Sequence, residues 1–238
     1  MASTEFLPGV ICLIKSIRRF SQIPIEIMSI DLNEEEIESI YSAGGIVREI
    51  PRITSIFAEI RSFHIRKDFS QNCFCKLNMW GMDYDKIVYL DSDTVVIQNI
   101  DELFDVPHFF SACPSIITAY NAKTMEVVES HHCSDFFNAG VLVLKPDKTV
   151  YLDMMRKKDV IKNDADLSDQ GFLNSYFKNK VNILSAFYNA TKRAHDTMSD
   201  WWKMNEDKIK VIHYTATDKP WMKGRTSPID RYWWNVFK

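Results

Sequence analysis

The first fifty residues alternate between helical and strand-like spacing of apolar side chains. Apolar residues recur at helical intervals over residues 6–20, which predicts an amphipathic helix. Over residues 25–30 they alternate with polar residues, which predicts a half-buried strand. Asn33 and Glu36 have the spacing of a capping box at the start of a second helix, and residues 46–50 form a second strand-like run. This order of helix, strand, helix and strand is typical of a sheet covered by helices.

The later part of the chain continues the alternation. Residues 76–82 predict a helix, and the short apolar run 87–90, which ends in acid, predicts a buried strand. Further strands are predicted at residues 136–144, 181–184 and 209–212, and further helices at residues 149–160 and 171–178. We therefore predict one α/β domain over residues 1–238, with a doubly wound, mixed and mostly parallel sheet flanked by helices.

Composition narrows the functional classes. With 46% hydrophobic and 26% charged residues, the chain has the balance of an ordinary globular protein. Its net charge of -3 offers no basic surface for nucleic acid, and no apolar run approaches the ~20 residues of a membrane span. Five cysteines, an odd number without zinc-like spacing, indicate reduced thiols and a cytoplasmic protein.

The strongest candidate for chemistry is the acidic end of the strand at residues 87–90. Asp91 and Asp93 are two residues apart, so in extended backbone both carboxylates project to the same side. Two such carboxylates repel each other unless a cation binds, and hard oxygen ligands favour Mg²⁺ or Mn²⁺ shared with substrate phosphates. The alternative is a strand end followed by a turn, because Asp and Ser are common turn residues.

Two histidine motifs bear on this hypothesis. His213 follows the strand at residues 209–212, and although a lone histidine is usually structural, imidazole can join carboxylates around Mn²⁺. His131-His132-Cys133 has metal-like residue types, but neighbouring residues of an extended chain point to opposite faces. We therefore favour His213 as a ligand and predict a loop at residues 131–133.

Two further polar positions interrupt apolar or helical segments. Asn138 lies inside the strand at residues 136–144, where a buried amide is either a hydrogen-bonded core residue or a ligand contact. Gly140 in the same strand allows another group to approach closely. Asp169 precedes a predicted helix, where an acid is also favoured by the helix dipole.

These positions belong to motifs that follow one another in a fixed order. The motifs are KLNMW at 76–80, LDSD at 90–93, NIDELFD at 99–105, FNAGVLV at 137–143, DQGFLN at 169–174, and HY followed by KPW between 213 and 221. In order and approximate spacing the series resembles the glycogenin-type family of retaining glycosyltransferases, which includes plant galactinol synthases. The resemblance extends over about residues 6–221.

The resemblance implies a Rossmann-like, nucleotide-sugar-binding fold of the GT-A type and a metal-dependent enzyme. Such an enzyme would transfer glucose or galactose from a UDP-hexose with retention of configuration. Asp91, Asp93 and His213 would hold Mn²⁺, with Mg²⁺ as the alternative.

The resemblance also implies roles for residues outside the metal site. Lys76, Asn138 and Lys219 would contact the donor, with Asp135 as a weaker candidate. Ala216 stands where glycogenin has a glycine in its phosphate loop, a change that keeps the backbone N–H.

Two catalytic residues follow from the same likeness. Asp169 and Gln170 would face the transferred sugar. Asp169 would act there either as a nucleophile or as the anion that stabilises an oxocarbenium-like state.

The acceptor side of the sequence departs from glycogenin. The tyrosine that glycogenin glucosylates on itself would fall near Asp196, and residues 189–210 contain no tyrosine. We therefore expect a separate acceptor, such as a sugar, a polyol or a glycoprotein, in a protein that is a monomer or a homodimer. The alternatives are a self-glucosylating glycogenin and a non-catalytic relative that binds UDP-sugar.

The amino end departs further from the family. Its members open with a strand and then a turn that bears an aromatic residue, and Phe6 falls at that aromatic position. Residues 1–5 are too few and too polar to supply the strand. We expect the strands beside this position to be left with unpaired backbone groups, and the native protein to have one more strand upstream.

Overall fold

A computed structural model describes residues 3–56, 72–114, 136–161, 168–215, 218–225 and 227–238, without the side chain of Lys223. In this part the strands are β1 (Glu26–Ser29), β2 (Ile46–Glu49), β3 (Ile87–Leu90), β4 (Thr94–Val96), β5 (Phe110–Pro114), β6 (Phe137–Leu144), β7 (Asn182–Ile183), β8 (Ala190–Thr191) and β9 (Val211–His213). The α-helices are α1 (Leu7–Arg18), α2 (Glu34–Ser42), α3 (Lys148–Lys157), α4 (Asp169–Tyr176), α5 (Lys192–Thr197), α6 (Ser199–Asn205), α7 (Pro220–Lys223) and α8 (Asp230–Phe237). Segments of 3₁₀-helix are Thr4–Phe6, Cys73–Gly81, Asp101–Asp105 and Ala186–Asn189.

The capping box predicted at the start of the second helix is present. The Asn33 side chain accepts a hydrogen bond from the Glu36 backbone N–H at 2.9 Å, and the Glu36 carboxylate accepts one from the Asn33 N–H at 2.9 Å. Each group satisfies a backbone donor that the helix cannot. The alternation of helix and strand that surrounds this box is confirmed as α1, β1, α2 and β2.

The helix predicted at residues 76–82 is instead the 3₁₀ segment Cys73–Gly81. Every side chain from Phe74 to Trp80 is buried, including that of Lys76. A segment that is enclosed on all sides shows no amphipathic period, so its sequence could not distinguish the two helix types.

The described strands form three small sheets, of which the larger two are mixed, rather than one mostly parallel sheet. β1 pairs with β2, a second sheet has the order β3-β6-β5-β7, and a third has the order β4-β9-β8. The ladders β1–β2, β5–β7 and β8–β9 are parallel, and the ladders β3–β6, β5–β6 and β4–β9 are antiparallel. The mixed α/β architecture is confirmed. Among the described strands the pairing is half parallel rather than mostly parallel, because the long strand β6 runs antiparallel to both of its neighbours.

The register of these ladders brings separate motifs together. Thr94 in β4 lies opposite His213 in β9, and the Tyr214 N–H donates to the Asp93 carbonyl at 2.9 Å. In the neighbouring sheet the Asp91 N–H donates to the Gly140 carbonyl at 2.8 Å. The ends of β3, β6 and β9 therefore meet at one edge of the fold.

An apolar groove lies between β1 and β3. Among the described residues, β1 pairs only with β2 and β3 pairs only with β6, so each strand has one open edge. Residues of both strands line a cavity of about 280 Å³, together with apolar side chains of α1, namely Val10, Leu13 and Ile17. We call this cavity the β1–β3 groove. It reaches Ser92, between the two predicted metal ligands.

Two pairs of adjacent tryptophans pack in the interior. Trp201, Trp202 and Trp233 are buried in one apolar cluster, and Trp234 packs against it.

Within the described ranges, no helix combines the length and apolar character needed to cross a membrane.

Candidate active site

The strand ends bring Asp91, Asp93 and His213 together. One potential ligand atom from each residue lies within 4.8 Å of the other two. His213 Nε2 is 3.1 Å from Asp93 Oδ1 and 3.9 Å from Asp91 Oδ2. The arrangement combines two carboxylate oxygens with an imidazole nitrogen, a donor set that suits Mn²⁺ and that Mg²⁺ also uses in part.

The other oxygen of Asp91 is held by protein donors. Tyr89 donates its hydroxyl to Asp91 Oδ1 at 2.6 Å, and Lys76 Nζ lies 3.3 Å from the same oxygen. Burial, reinforced by the negative charge of Asp91, raises the pKa of Tyr89 well above its usual value. Tyr89 therefore stays neutral and keeps its proton, while Asp91 Oδ2 faces His213.

The two carboxylate oxygens of Asp93 likewise have different partners, a lysine ammonium group and the histidine ring. Lys219 donates to Asp93 Oδ2 and also to the Tyr214 carbonyl. Burial on its own would raise the pKa of Asp93, but His213 and Lys219 outweigh it and hold that pKa well below its usual range. Asp93 is thus a carboxylate at neutral pH, with Oδ1 directed at His213.

Gly140 provides the space in which the His213 ring lies. A Cβ atom at position 140 would be 2.2 Å from His213 Cε1 and 2.9 Å from Asn138 Oδ1. No side chain fits at such distances, so the absence of one is what allows the imidazole to pack against β6. The close approach expected of this glycine is therefore made by the predicted metal ligand itself.

Lys76 links the pair Asp91 and Asp93 to Asp169, which is predicted to face the transferred sugar. We call Asn138, Asp169 and Gln170 the sugar side of the site. The Nζ atom of Lys76 lies 2.8 Å from Asp169 Oδ2, 3.3 Å from Asp91 Oδ1 and 3.1 Å from the Ala139 carbonyl. Burial alone would lower the pKa of Lys76, but Asp169 and Asp91 outweigh it and raise that pKa well above its usual value. All three ammonium donors are directed at protein oxygens, so Lys76 joins two carboxylates rather than projecting into solvent.

The polar residues of β6 and α4 form the adjoining part of the site. Asn138 Nδ2 donates to Gln170 Oε1 at 3.0 Å, and the Ala139 N–H donates to the same oxygen at 3.1 Å. Asp169 is buried at the start of α4, next to Gln170. The structure therefore brings Lys76, Asn138, Asp169 and Gln170 beside the Asp-Asp-His group.

Some predicted site residues lie outside the described part of the chain. These residues are Asp135 and Ala216, and the His131-His132-Cys133 motif lies outside it as well.

Two residues at the site were missed by the sequence analysis. Tyr89 stands two positions before Asp91 on the same face of the strand, so the strand alternation could have indicated it. Asn189 has its Oδ1 atom 2.8 Å from His213 Nδ1. It ends the 3₁₀ segment Ala186–Asn189, and no periodic signal in the sequence assigns it to this place.

The chain matches a class of sugar-transferring enzymes. The family model described as Glycosyl transferase family 8 matches residues 1–224. The chain belongs to this family and is therefore an enzyme of the glycosyltransferase class. The resemblance inferred from the ordered motifs is confirmed.

Similar proteins have been characterised in fungi and plants. The chain is 31% identical to the glycogenin of Neurospora crassa, in an alignment that covers 100% of this chain and 34% of the fungal protein. It is 28% identical to galactinol synthase 1 of Solanum lycopersicum, over 98% of this chain and 78% of that protein. The chain thus spans about a third of the length of the fungal glycogenin that it matches.

Solved structures support the fold. The galactosyltransferase LgtC, crystallised with donor and acceptor sugar analogs, superposes with a TM-score of 0.68 at 19% identity, covering 99% of this chain and 93% of LgtC. Mouse xyloside xylosyltransferase 1 superposes with a TM-score of 0.57 at 15% identity, covering 90% of this chain and 93% of that one. The GT-A type of fold that the resemblance implied is confirmed.

Proposed function

We propose that this protein is a metal-dependent, retaining hexosyltransferase that moves glucose or galactose from a UDP-hexose to a separate acceptor. The observation that carries the proposal is the junction made by Lys76. It connects Asp91 of the Asp-Asp-His group to Asp169 beside Gln170. A site for a diphosphate-bound cation and a site for a sugar therefore share one buried lysine.

The metal ligands in this proposal are Asp91, Asp93 and His213, which would hold Mn²⁺ or, alternatively, Mg²⁺. A cation held there supplies Lewis-acid neutralisation of the charge that develops on the departing diphosphate.

The buried charges of the chain prepare the site for such a cation. Three carboxylates (Asp91, Asp93 and Asp169) and two ammonium groups (Lys76 and Lys219) lie close together, with His213 between Asp91 and Asp93. These five charged groups carry one net negative charge, which repels a diphosphate. One divalent ion reverses the sign, so we expect the donor to bind well only when the metal is present.

The sugar side is assigned to Asn138, Asp169 and Gln170. Asn138 Nδ2 donates to Gln170 Oε1 at 3.0 Å, so each of these two amides restrains the other. Asp169 supplies negative charge near the anomeric carbon, as a nucleophile or as a stabilising anion. Lys76 holds one oxygen of Asp169 in place.

Other parts of the proposal concern the acceptor and the setting of the protein. Asp196, near which the self-glucosylated tyrosine would fall, instead pairs with Lys192 at 3.0 Å. A separate sugar, polyol or glycoprotein acceptor therefore remains our proposal, and a cytoplasmic location and a homodimer remain predictions. The described cysteines, Cys12, Cys73, Cys75 and Cys113, are free thiols, which agrees with a reducing compartment.

The test is a screen for UDP release from a panel of UDP-sugars, with Mn²⁺, with Mg²⁺ and with a chelator. We expect turnover with UDP-glucose or UDP-galactose that depends on the metal and increases when an acceptor is supplied. Calorimetry run in parallel should show UDP binding that weakens about tenfold or more in chelator. Tight UDP-sugar binding without turnover on any acceptor would favour a non-catalytic relative, and full turnover in chelator would overturn the metal assignment.

A further inference from the structure

Asn189 lies between the predicted metal ligands and the predicted sugar side. Its side chain is completely buried at the junction of the Ala186–Asn189 segment and β8. Neither the ordered motifs nor the paired carboxylates assign it a role. Its contacts nevertheless determine which nitrogen of His213 can bind a metal, an inference that rests on the proposed function.

The orientation of the neighbouring amides is fixed by backbone donors. The Gly140 N–H donates to Asn138 at 2.9 Å, and a backbone N–H can only donate, so the accepting atom is Oδ1. The Ala139 N–H identifies Gln170 Oε1 in the same way at 3.1 Å. Asn138 Nδ2 is then free to donate to Gln170 Oε1, as observed.

The orientation of Asn138 also determines which atom of the Asn189 amide is the nitrogen and which is the oxygen. Because Asn138 presents Oδ1, the atom of Asn189 that lies 2.7 Å from it must be the donor Nδ2. Asn189 Oδ1 is therefore the atom 2.8 Å from His213 Nδ1. An amide oxygen only accepts, so His213 Nδ1 carries a proton.

With Nδ1 bonded to Asn189, the other ring nitrogen of His213, Nε2, also has a defined position. His213 Nε2 faces Asp93 Oδ1 at 3.1 Å, and Gly140 fixes the opposite side of the ring. We propose that Asn189 is a positioning residue, which holds the His213 ring with its proton on Nδ1 and directs Nε2 at the metal as the ligating atom. The hydrogen bonds that continue to Asn138 and Gln170 connect the metal ligand to the sugar side through polar side chains alone.

The tautomer can be measured directly on the wild-type protein. Long-range ¹H–¹⁵N spectra of the Mg²⁺-loaded enzyme, which is diamagnetic, distinguish a protonated ring nitrogen from one that binds a metal. We expect His213 to carry its proton on Nδ1. A proton on Nε2 in the loaded protein overturns the proposal. The measurement uses only the wild-type protein, so it does not depend on the folding of a variant.

Two variants of similar shape test the contact itself. Asn189→Leu removes both the acceptor and the donor, whereas Asn189→Asp keeps the acceptor for the Nδ1 proton. Mn²⁺ affinity, measured without donor from the spin resonance of the free ion, should fall about 10–100-fold in the leucine variant. The aspartate variant should bind Mn²⁺ clearly more tightly than the leucine variant.

A matched control separates positioning from general damage to the fold. Asn182→Leu removes the amide of a half-buried asparagine, which donates to Ser111 Oγ at 3.1 Å, and it should leave Mn²⁺ affinity unchanged. Wild-type affinity in a folded Asn189→Leu protein would overturn the role of Asn189. A wild-type protein that binds no Mn²⁺ would instead overturn the proposed metal site, so the two failures are distinguishable.

Discussion

Asp93 has two roles, because it is a proposed metal ligand and also the partner of the buried Lys219 ammonium group. Asp93→Asn should remove most turnover, by about 100-fold or more, because one carboxylate of the proposed metal site is lost. It should also reduce the free energy of unfolding by about 3–5 kcal/mol, because Lys219 keeps its buried charge without a full partner. Turnover and denaturant unfolding of the purified variant measure the two effects.

A control for this variant is available on the surface. Asp153→Asn breaks an exposed pair with Lys157 and should change neither turnover nor Mn²⁺ affinity. An Asp93→Asn protein that keeps wild-type turnover would contradict the assignment.

Gly140 gives a second prediction for a single residue. In Gly140→Ala the new methyl group must displace the His213 ring, because no atom can remain 2.2 Å from Cε1. We expect Mn²⁺ affinity to fall about tenfold or more, measured on the folded variant by calorimetry. Gly81→Ala is the control, since its methyl group would meet the Tyr151 ring at 3.2 Å, away from the site. Equal loss in both variants would refute a specific role for the space at Gly140.

The residues of the site differ in how far the sequence could indicate them. Asp91, Asp93 and His213 follow apolar runs, and strand ends are where such side chains gather. Asn189 follows no run, and its place depends on how a short 3₁₀ turn meets β9 across the fold. Contacts set by tertiary packing leave no period in the sequence.

At the scale of elements, local signals predicted the helices α1 to α4 and the strands β1, β2, β3, β6, β7 and β9, but not how the strands pair. The capping box and the apolar runs depend on neighbours within a few residues, and these elements are confirmed. The strands β4, β5 and β8 and the helices α5 to α8 were missed, and the sheet was expected to be mostly parallel. Strand direction depends on partners that are distant in sequence, as where β6 joins β3 and β5.

The β1–β3 groove supplies a prediction at this scale. The start of α1 lies beside the end of the groove, since a Cβ at Gly9 would be 2.5 Å from the Ser92 carbonyl oxygen. A segment of about six alternating apolar residues, joined ahead of Met1, can therefore enter the groove as a strand between β1 and β3. We expect Tm to rise by about 5 °C or more, because open strand edges gain partners and apolar surface is buried.

The control for this fusion has the same length and sequence except for proline at two central positions, where it cannot donate the ladder hydrogen bonds. Differential scanning calorimetry compares the two fusions with the unextended chain. Identical Tm values for all three proteins would mean that the groove does not accept a strand.

For the whole molecule, we predict that the sugar is transferred to a separate acceptor and not to the protein itself. Incubation of the purified protein with UDP-glucose and Mn²⁺ alone should add no hexose to it, because residues 189–210 offer no tyrosine and Asp196 is ion-paired. Intact-mass spectrometry measures this, and a purified glycogenin treated in parallel serves as the positive control. A hexose found on any tyrosine of this chain would favour the self-glucosylating alternative.

The three proposed metal ligands do not belong to one sheet. Asp91 follows β3 of the four-stranded sheet, whereas Asp93 precedes β4 and His213 is the last residue of β9 in the three-stranded sheet. An ion shared by these residues acts as a cross-link between two sheets, and its binding free energy is added to their docking. By linkage, each tenfold excess of free ion over its dissociation constant contributes about 1.4 kcal/mol to the stability of the docked state. Amide protons of both sheets should therefore exchange more slowly together when the ion is bound, and the proposed metal site would then also stabilise the contact between the two sheets.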